Sequence, residues 1–223
     1  LITYPNLTMM LVPSIAIALL TSVLKKQNYR VALFDTTHYI ADENSSPQNR
    51  VKFLQARQFD EVNDLGVRNR SDLLGNYRNT VEKFDPHLIL FSVVEDCFRQ
   101  TLSLLSAISD LDIPHLLGGV FPTAAPLECL DNDLVNRVAV GEGEEVVVAY
   151  AEALRMGHSV DEIPGIWSKK INGTVKRGER TNLVDINKIV PDFSLFDSAR
   201  FNRPMGGRIF RTVPIETFRG CPF

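Results

Sequence analysis

The sequence predicts an α/β fold with a doubly wound, mainly parallel sheet. Three observations carry this. Short apolar runs alternate with stretches of helical periodicity, most runs end in glycine-rich or polar loops, and the composition is that of an ordinary globular chain. Of the 223 residues, 44% are hydrophobic and 23% are charged. Strand–helix alternation implies right-handed crossovers, and sheets of this kind bind ligands at the carboxyl ends of their strands.

The elements follow in order. Residues 1–4 read as a first strand ending in the loop Pro5-Asn6-Leu7. Pro13 opens a helix in which Ile15, Leu19 and Val23 share a face. Residues 30–34 form a second strand ending at Asp35, and residues 42–70, polar and broken by Ser45-Ser46-Pro47, read as an insertion or lid. Helical spacing returns over 71–84 through Leu74, Tyr77 and Val81, with Ser71 as N-cap. Residues 87–92 are the clearest strand, continuously apolar as in a sheet buried on both faces. The next helix carries Phe98, Leu102, Leu105 and Ile108 in step. Residues 113–117 form a strand ending at Gly118-Gly119, and 137–140 another ending at Gly141-Glu142-Gly143-Glu144. The helix after it runs to about Met156 and stops at Gly157.

Beyond Ile163 the texture changes. Ile163-Pro164-Gly165-Ile166 leads to Asn172-Gly173, a two-residue hairpin signal, then to the irregular connector Ile189-Val190-Pro191-Asp192-Phe193. Gly206-Gly207 precedes a fresh strand over 208–215. The chain then ends in Glu216-Thr217-Phe218-Arg219-Gly220-Cys221-Pro222-Phe223. The expected divisions are a first domain over 1–157, a linker with a β-hairpin over 158–205, and the start of a further domain over 206–223. The beginning at Leu1 and the end at Phe223 read as cuts within a longer protein.

Charge and cysteine usage exclude several classes. The net charge is -3 with no basic block, so a nucleic-acid groove is not expected and a small ligand is. The first 24 residues are uncharged, but Asn6, Pro13, Ser14, Thr21 and Ser22 interrupt them. A buried strand, loop and helix fit better than a membrane span, and no basic segment marks a signal peptide. Cys97, Cys129 and Cys221 are scattered and odd in number, which argues against a disulfide framework and suits a reducing cytoplasm. Cys97 lies at a helix start, but without a paired histidine or second cysteine it reads as core, as does Cys129 between Leu127 and Leu130.

The candidate ligand-binding residues are those predicted at strand ends. Asn6 follows the first strand; Ser92, Val93 and Glu95 follow the third. Gly118 and Gly119 permit close backbone approach, with Pro122 and Thr123 beside them. Gly141, Glu142, Gly143 and Glu144 open a helix whose exposed amides can hold a polar group, although the glutamates would repel phosphate. The third glycine of a dinucleotide fingerprint is absent. Taken singly, each glycine pair is an ordinary turn.

In this order, a strand, Gly118-Gly119-x-x-Pro122-Thr123, a short helix with Pro126 and Glu128, a strand and Gly141-Glu142-Gly143-Glu144 resemble the N-terminal domain of cobalamin-dependent radical S-adenosylmethionine (radical SAM) proteins. Ile163-Pro164-Gly165-Ile166, the Asn172-Gly173 hairpin, Pro191-Asp192 and Glu216-x-x-Arg219-Gly220-Cys221-Pro222-Phe223 match the same family. The resemblance covers nearly the whole chain, residues 42–70 least. It implies a Rossmann-like cobalamin domain, a linker and the first strand of a truncated radical SAM barrel.

It also implies chemistry. Cys221 would be the first of three thiolates, the others four and seven positions later, that hold a 4Fe-4S cluster, with S-adenosylmethionine on the fourth iron. One cysteine cannot hold a cluster, so this chain by itself is expected to be inactive. The whole enzyme would use a deoxyadenosyl radical and methylcobalamin to methylate an unactivated carbon; some relatives cyclise or rearrange instead. A small-molecule or peptide substrate and an electron donor would be its partners. The first-strand loop lacks the histidine of Asp-x-His-x-x-Gly domains, and His38, in Asp35-Thr36-Thr37-His38, has the wrong spacing and follows the second strand. The resemblance thus implies a cobalamin not ligated by histidine. His87 and His115 read as structural and His158 as a surface-turn residue. A stand-alone flavodoxin-like module for a flavin remains the competing class, although the 5–13 loop has only Thr8 inside it to hold phosphate; a nucleotide-sugar transferase lacks paired acidic metal ligands.

Overall fold

The computed structural model describes residues 1–6, 12–39, 62–66 and 70–219. Strand β1 (Ile2–Tyr4) leads through helix α1 (Ile15–Lys26) to β2 (Leu33–Asp35). Helix α2 (Leu73–Phe84), β3 (Ile89–Ser92), α3 (Phe98–Ser106) and β4 (His115–Gly118) follow. Two short helices, α4 (Val120–Ala124) and α5 (Pro126–Leu130), then lead to β5 (Arg137–Ala139) and α6 (Glu144–Met156). The chain continues with β6 (Ile166–Lys169), β7 (Val175–Lys176), β8 (Asn202–Met205) and β9 (Arg208–Arg211).

Strands β1 to β7 form one sheet in the order β2-β1-β3-β4-β5-β6-β7. The first five are mutually parallel, and β6 and β7 are added antiparallel. The predicted doubly wound sheet therefore forms, and its strand order reverses between β1 and β3, where such sheets bind ligands. Alternation along each strand divides the core. Ile89, Phe91, Leu117 and Val138 face one apolar cluster with Tyr77 and Val81 of α2 and Leu104 of α3. Ile2, Leu90, Leu116 and Ala139 face the other, with Ile17 and Leu24 of α1 and Val146 and Tyr150 of α6.

The uncharged first segment folds as a buried strand and helix. Helix α1 begins at Ile15 with Ser14 as its N-cap, so Pro13 precedes the helix and does not open it, and Thr21 is buried with its hydroxyl donating to Ile17 O at 2.8 Å. Among the described residues no helix is long and apolar enough to cross a membrane. Helix α2 departs from expectation: Asp72 replaces Ser71 as N-cap, accepting from Gly75 N–H at 3.0 Å. Leu74 is exposed, and Leu73 packs with Tyr77 and Val81 instead, at i, i+4 and i+8. Of the 42–70 insertion, only 62–66 and Arg70 lie within the described residues.

The hairpin after Ile163 forms on the sheet edge, β6 pairing with β5. Its turn differs from the two-residue form. Gly173 N–H donates to Lys170 O, and Gly173 alone adopts positive φ (+80°), the pattern of a three-residue loop with a glycine bulge. The Pro191-Asp192 connector packs on α1: Asp192 N–H donates to Ala18 O at 2.9 Å, and Lys25 Nζ to Asp192 Oδ2 at 2.9 Å. Strand β9 is shorter than the predicted 208–215 run and pairs back on β8 through Gly206-Gly207, both at positive φ, in a separate two-stranded sheet.

Candidate functional site

Ser92 and Gly118 are register partners at the carboxyl ends of β3 and β4. Beyond them Val93 N–H donates to Gly118 O (2.8 Å), and Phe121 N–H donates to Val93 O (3.2 Å). The chain leaving β4 is thereby drawn against the end of β3. Gly119 makes this possible: its φ is +107°, and a Cβ there would stand 2.7 Å from Val93 O. Gly118 is under no such constraint, since a Cβ would meet nothing nearer than Ala139 Cβ at 3.7 Å. The second glycine serves the fold, whereas the first leaves half-buried backbone uncovered at the sheet edge.

Of the other predicted residues in these loops, Val93 and Pro122 are buried and belong to the packed interior. Val94, Glu95, Asp96, Val120 (72% exposed) and Thr123 face solvent. Thr123 Oγ1 accepts from Gly141 N–H at 3.1 Å and so ties the β4 and β5 loops together. The result is an open shelf, with small or apolar groups at Gly118, Val94 and Val120.

Glu142 and Glu144 have protein partners. The Arg219 guanidinium lies 3.4 Å from Glu142 Oε2, 2.8 Å from Glu144 Oε1 and 2.9 Å from Glu216 Oε2. Its Nε donates to Glu216 Oε1 at 3.0 Å. These carboxylates, Glu216 foremost and then Glu144, push the Arg219 pKa further up. Glu142 also accepts a hydrogen bond from Val184 N–H. Gly143 lies on α6's N-cap, with φ -94°.

At the β1 and β2 ends, Asn6 is buried. Its N–H donates to Thr36 Oγ1 and its Nδ2 to Thr37 Oγ1, each at 2.8 Å. Asp35 pairs with fully buried Arg200, Oδ2 to Nε 2.9 Å, a contact whose breakage costs about 3–5 kcal/mol in a buried setting. His38, expected as a polar loop residue, is instead 8% exposed, and neither ring nitrogen has a hydrogen-bond partner among the described residues. Burial lowers its pKa, with Asp35 opposing. His115 is structural, Nε2 lying 2.9 Å from Leu134 O, and His87 and His158 are exposed. Cys97 and Cys129 are core residues; burial pushes the Cys129 thiol up to about 11. Cys221 lies outside the described residues. Among those described, no cluster of three or more metal-ligating side chains occurs.

Sequence reasoning missed the Arg219 cluster and the Asp35–Arg200 pair. The first had a partial signal: Glu216 stands three residues before Arg219, near enough along the chain to pair with it, but nothing local pointed to Glu142 and Glu144. The second joins residues 165 positions apart, and nothing local announces it. A separate cleft of about 910 Å³ lies at the opposite, amino ends of the strands, lined by Leu1, Tyr29, His87 and Ile113 among others, away from every predicted residue.

No family model matches the chain, and no curated protein matches it in sequence. Solved structures share its fold. The radical S-adenosylmethionine methyltransferase TsrM from Kitasatospora setae, with tryptophan substrate and a SAM analogue bound, aligns at TM-score 0.59 and 17% identity over 80% of this chain and 29% of TsrM. TsrM with cobalamin and a 4Fe-4S cluster bound also aligns at 0.59, with 18% identity over 85% of this chain and 30% of TsrM. The cobalamin-dependent S-adenosylmethionine radical enzyme OxsB, with aqua-cobalamin and S-adenosylmethionine bound, aligns at 0.56 and 19% identity over 82% of this chain and 22% of OxsB. This chain thus spans under a third of the length of either protein. At these identities the likeness is one of fold.

Proposed function

We propose that this chain is the cobalamin-binding portion of a radical SAM enzyme, and that the enzyme is a methyltransferase acting on an unactivated carbon. The observation that carries the reading is the shelf at the β3–β4–β5 ends, where Gly118 leaves backbone uncovered without any packing need for glycine. A corrin is broad and flat, with apolar faces and a rim of neutral amide side chains, and a shallow edge of exposed valines and glycine backbone suits it better than an anion cradle does. The Gly141 N–H to Thr123 hydrogen bond ties the β4 and β5 loops together, and Val94 and Val120 offer exposed apolar side chains. TsrM and OxsB, which share the fold, were seen with cobalamin or aqua-cobalamin bound.

The histidines support a lower face free of imidazole. Residues 7–11 contain none, and His38, three residues beyond the end of β2, is buried, with Asp35 and Arg200 acting on its charge. Cobalamin, when bound, would supply a carbon-transferring metal centre; Gly118, Val94 and Val120 would hold it at the sheet edge. The cluster requires two cysteines beyond Cys221, so the radical step belongs to the longer enzyme, with its electron donor and a small-molecule or peptide substrate. Cyclisation or ring rearrangement is the alternative outcome of the same radical chemistry.

Anaerobic titration with hydroxocobalamin tests the binding. The expected result is corrin retained after gel filtration, with a base-off spectrum lacking histidine ligation. A histidine-ligated spectrum that disappears in His38→Ala would overturn the axial assignment. Folded protein that retains flavin mononucleotide and no corrin would move the chain to the flavodoxin-like class.

A further inference from the structure

We infer that Glu142 and Glu144 form a docking seat for Arg219, and that this latch positions the segment leading to Cys221 against the carboxyl edge of the sheet. Only the naming of Cys221 as a cluster ligand rests on the function proposed above; the latch stands on the ion pairs. One guanidinium meets carboxylates from two parts of the chain. Glu142 and Glu144 come from the β5–α6 junction, and Glu216 from the terminal segment itself. All four side chains are withdrawn from water, between 6% and 24% exposed, where charge pairs are screened less than on the surface.

Removing Arg219 would leave three acidic groups in one small volume, repelling each other and driving the segment away. A lysine would not replace it in full, because a single ammonium cannot give Glu216 the paired Nε and Nη2 contacts while also reaching Glu142 and Glu144. Glu142 further takes the Val184 N–H, so one residue holds both the 158–205 stretch and the terminal segment. The seat also accounts for two acidic side chains at a predicted cofactor edge. They turn to the protein, while Gly118 and the Thr123–Gly141 link remain for the ligand. Arg219 is thus a positioning residue: its ion pairs hold residues 216–219, the stretch that leads to Cys221, against the β5–α6 junction.

Trypsin reads the latch directly, because cleavage after an arginine requires that side chain to enter the protease. In the unaltered chain, cleavage after Arg219 should be at least tenfold slower than after exposed Arg180. The Glu142→Gln/Glu144→Gln variant should raise the Arg219 rate about tenfold relative to Arg180, with cleavage after buried Arg200 unchanged. If Arg200 is cut faster too, the fold has opened, and Glu216→Gln, whose carboxylate lies outside the seven-stranded sheet, decides by the same ratio. Arg219 cut as fast as Arg180 in the unaltered chain, or a ratio that no substitution moves, overturns the latch. So does loss of hydroxocobalamin from the double variant while Arg219 stays protected, since the carboxylates would then be cofactor contacts. An unaltered chain that never retains corrin sinks the proposed function but leaves the proteolysis ratio to judge the latch.

Discussion

Replacing the two neighbouring glycines by alanine should have opposite consequences. At Gly119 the backbone sits at φ +107°, ψ -170°, a region that side-chain-bearing residues adopt at a cost of about 1–3 kcal/mol. The new methyl would stand 2.7 Å from Val93 O and 2.8 Å from Val93 N, both backbone atoms that cannot swing away. Overpacking of that kind costs roughly 1–3 kcal/mol. Less the ~0.5–1 kcal/mol that alanine recovers by restricting the unfolded chain, Gly119→Ala should lose about 1–5.5 kcal/mol. With a urea slope of ~3 kcal/mol per molar, the unfolding midpoint falls by about 0.3–1.8 M. At Gly118 the methyl meets only Ala139 Cβ at 3.7 Å and Phe91 O at 3.9 Å, so the midpoint should move by less than the equivalent of ~1 kcal/mol. Hydroxocobalamin affinity should nevertheless fall about tenfold in Gly118→Ala, as expected where a methyl intrudes on a ligand surface. Paired urea melts and corrin titrations decide. Gly119→Ala as stable as the parent refutes the steric argument; Gly118→Ala with unaltered corrin affinity refutes the shelf.

Two pH dependences follow from side chains away from the shelf. Asp192 is held at about 2 by the Ser194 hydrogen bond and then by Lys25. Its folded pKa is depressed, so its contribution is present above the ordinary 3.8 and disappears as pH falls through about 2. For a partly exposed pair this amounts to about 1 kcal/mol, and thermal melts of Asp192→Asn should lose that part of the acid slope. His38 is also depressed, by burial, but a histidine is charged when protonated. The unfolded chain takes up a proton near 6.5 that the fold resists, so stability is full above pH 6.5 and declines below it. His38→Leu should flatten the melting-temperature profile between pH 7 and 5; a profile parallel to the parent's would show that another group sets the slope.

Much of the fold was legible because its signals are local. Residues 89–91 are continuously apolar, and strand period and burial on two faces follow from that alone. Gly157 ends α6 at φ +68° as its position predicted. Helix α1 was legible only in part: it is apolar nearly all round, and of the expected face Leu19 is buried while Ile15 and Val23 are half-buried, the helix turning Ile17, Ala18, Thr21 and Leu24 inward as well. Periodicity cannot choose a face when every face is apolar. The Asp72 cap was misplaced by one residue because Ser71 and Asp72 are both good caps, and the packing of Leu73 selected between them.

The site divides in the same way. Sequence alone determined that glycine pairs end the β4 and β5 strands and that the Pro5–Pro13 stretch offers no histidine, because these are properties of composition and order. Only the tertiary structure decided which glycine is required by the fold, that His38 is buried, and that Glu142 and Glu144 close on Arg219. Those outcomes depend on which distant atoms share a small volume. Steric exclusion at 2.7 Å and charge pairing at 2.8 Å act through space, and nothing in the local sequence encodes the approach that brings them into range.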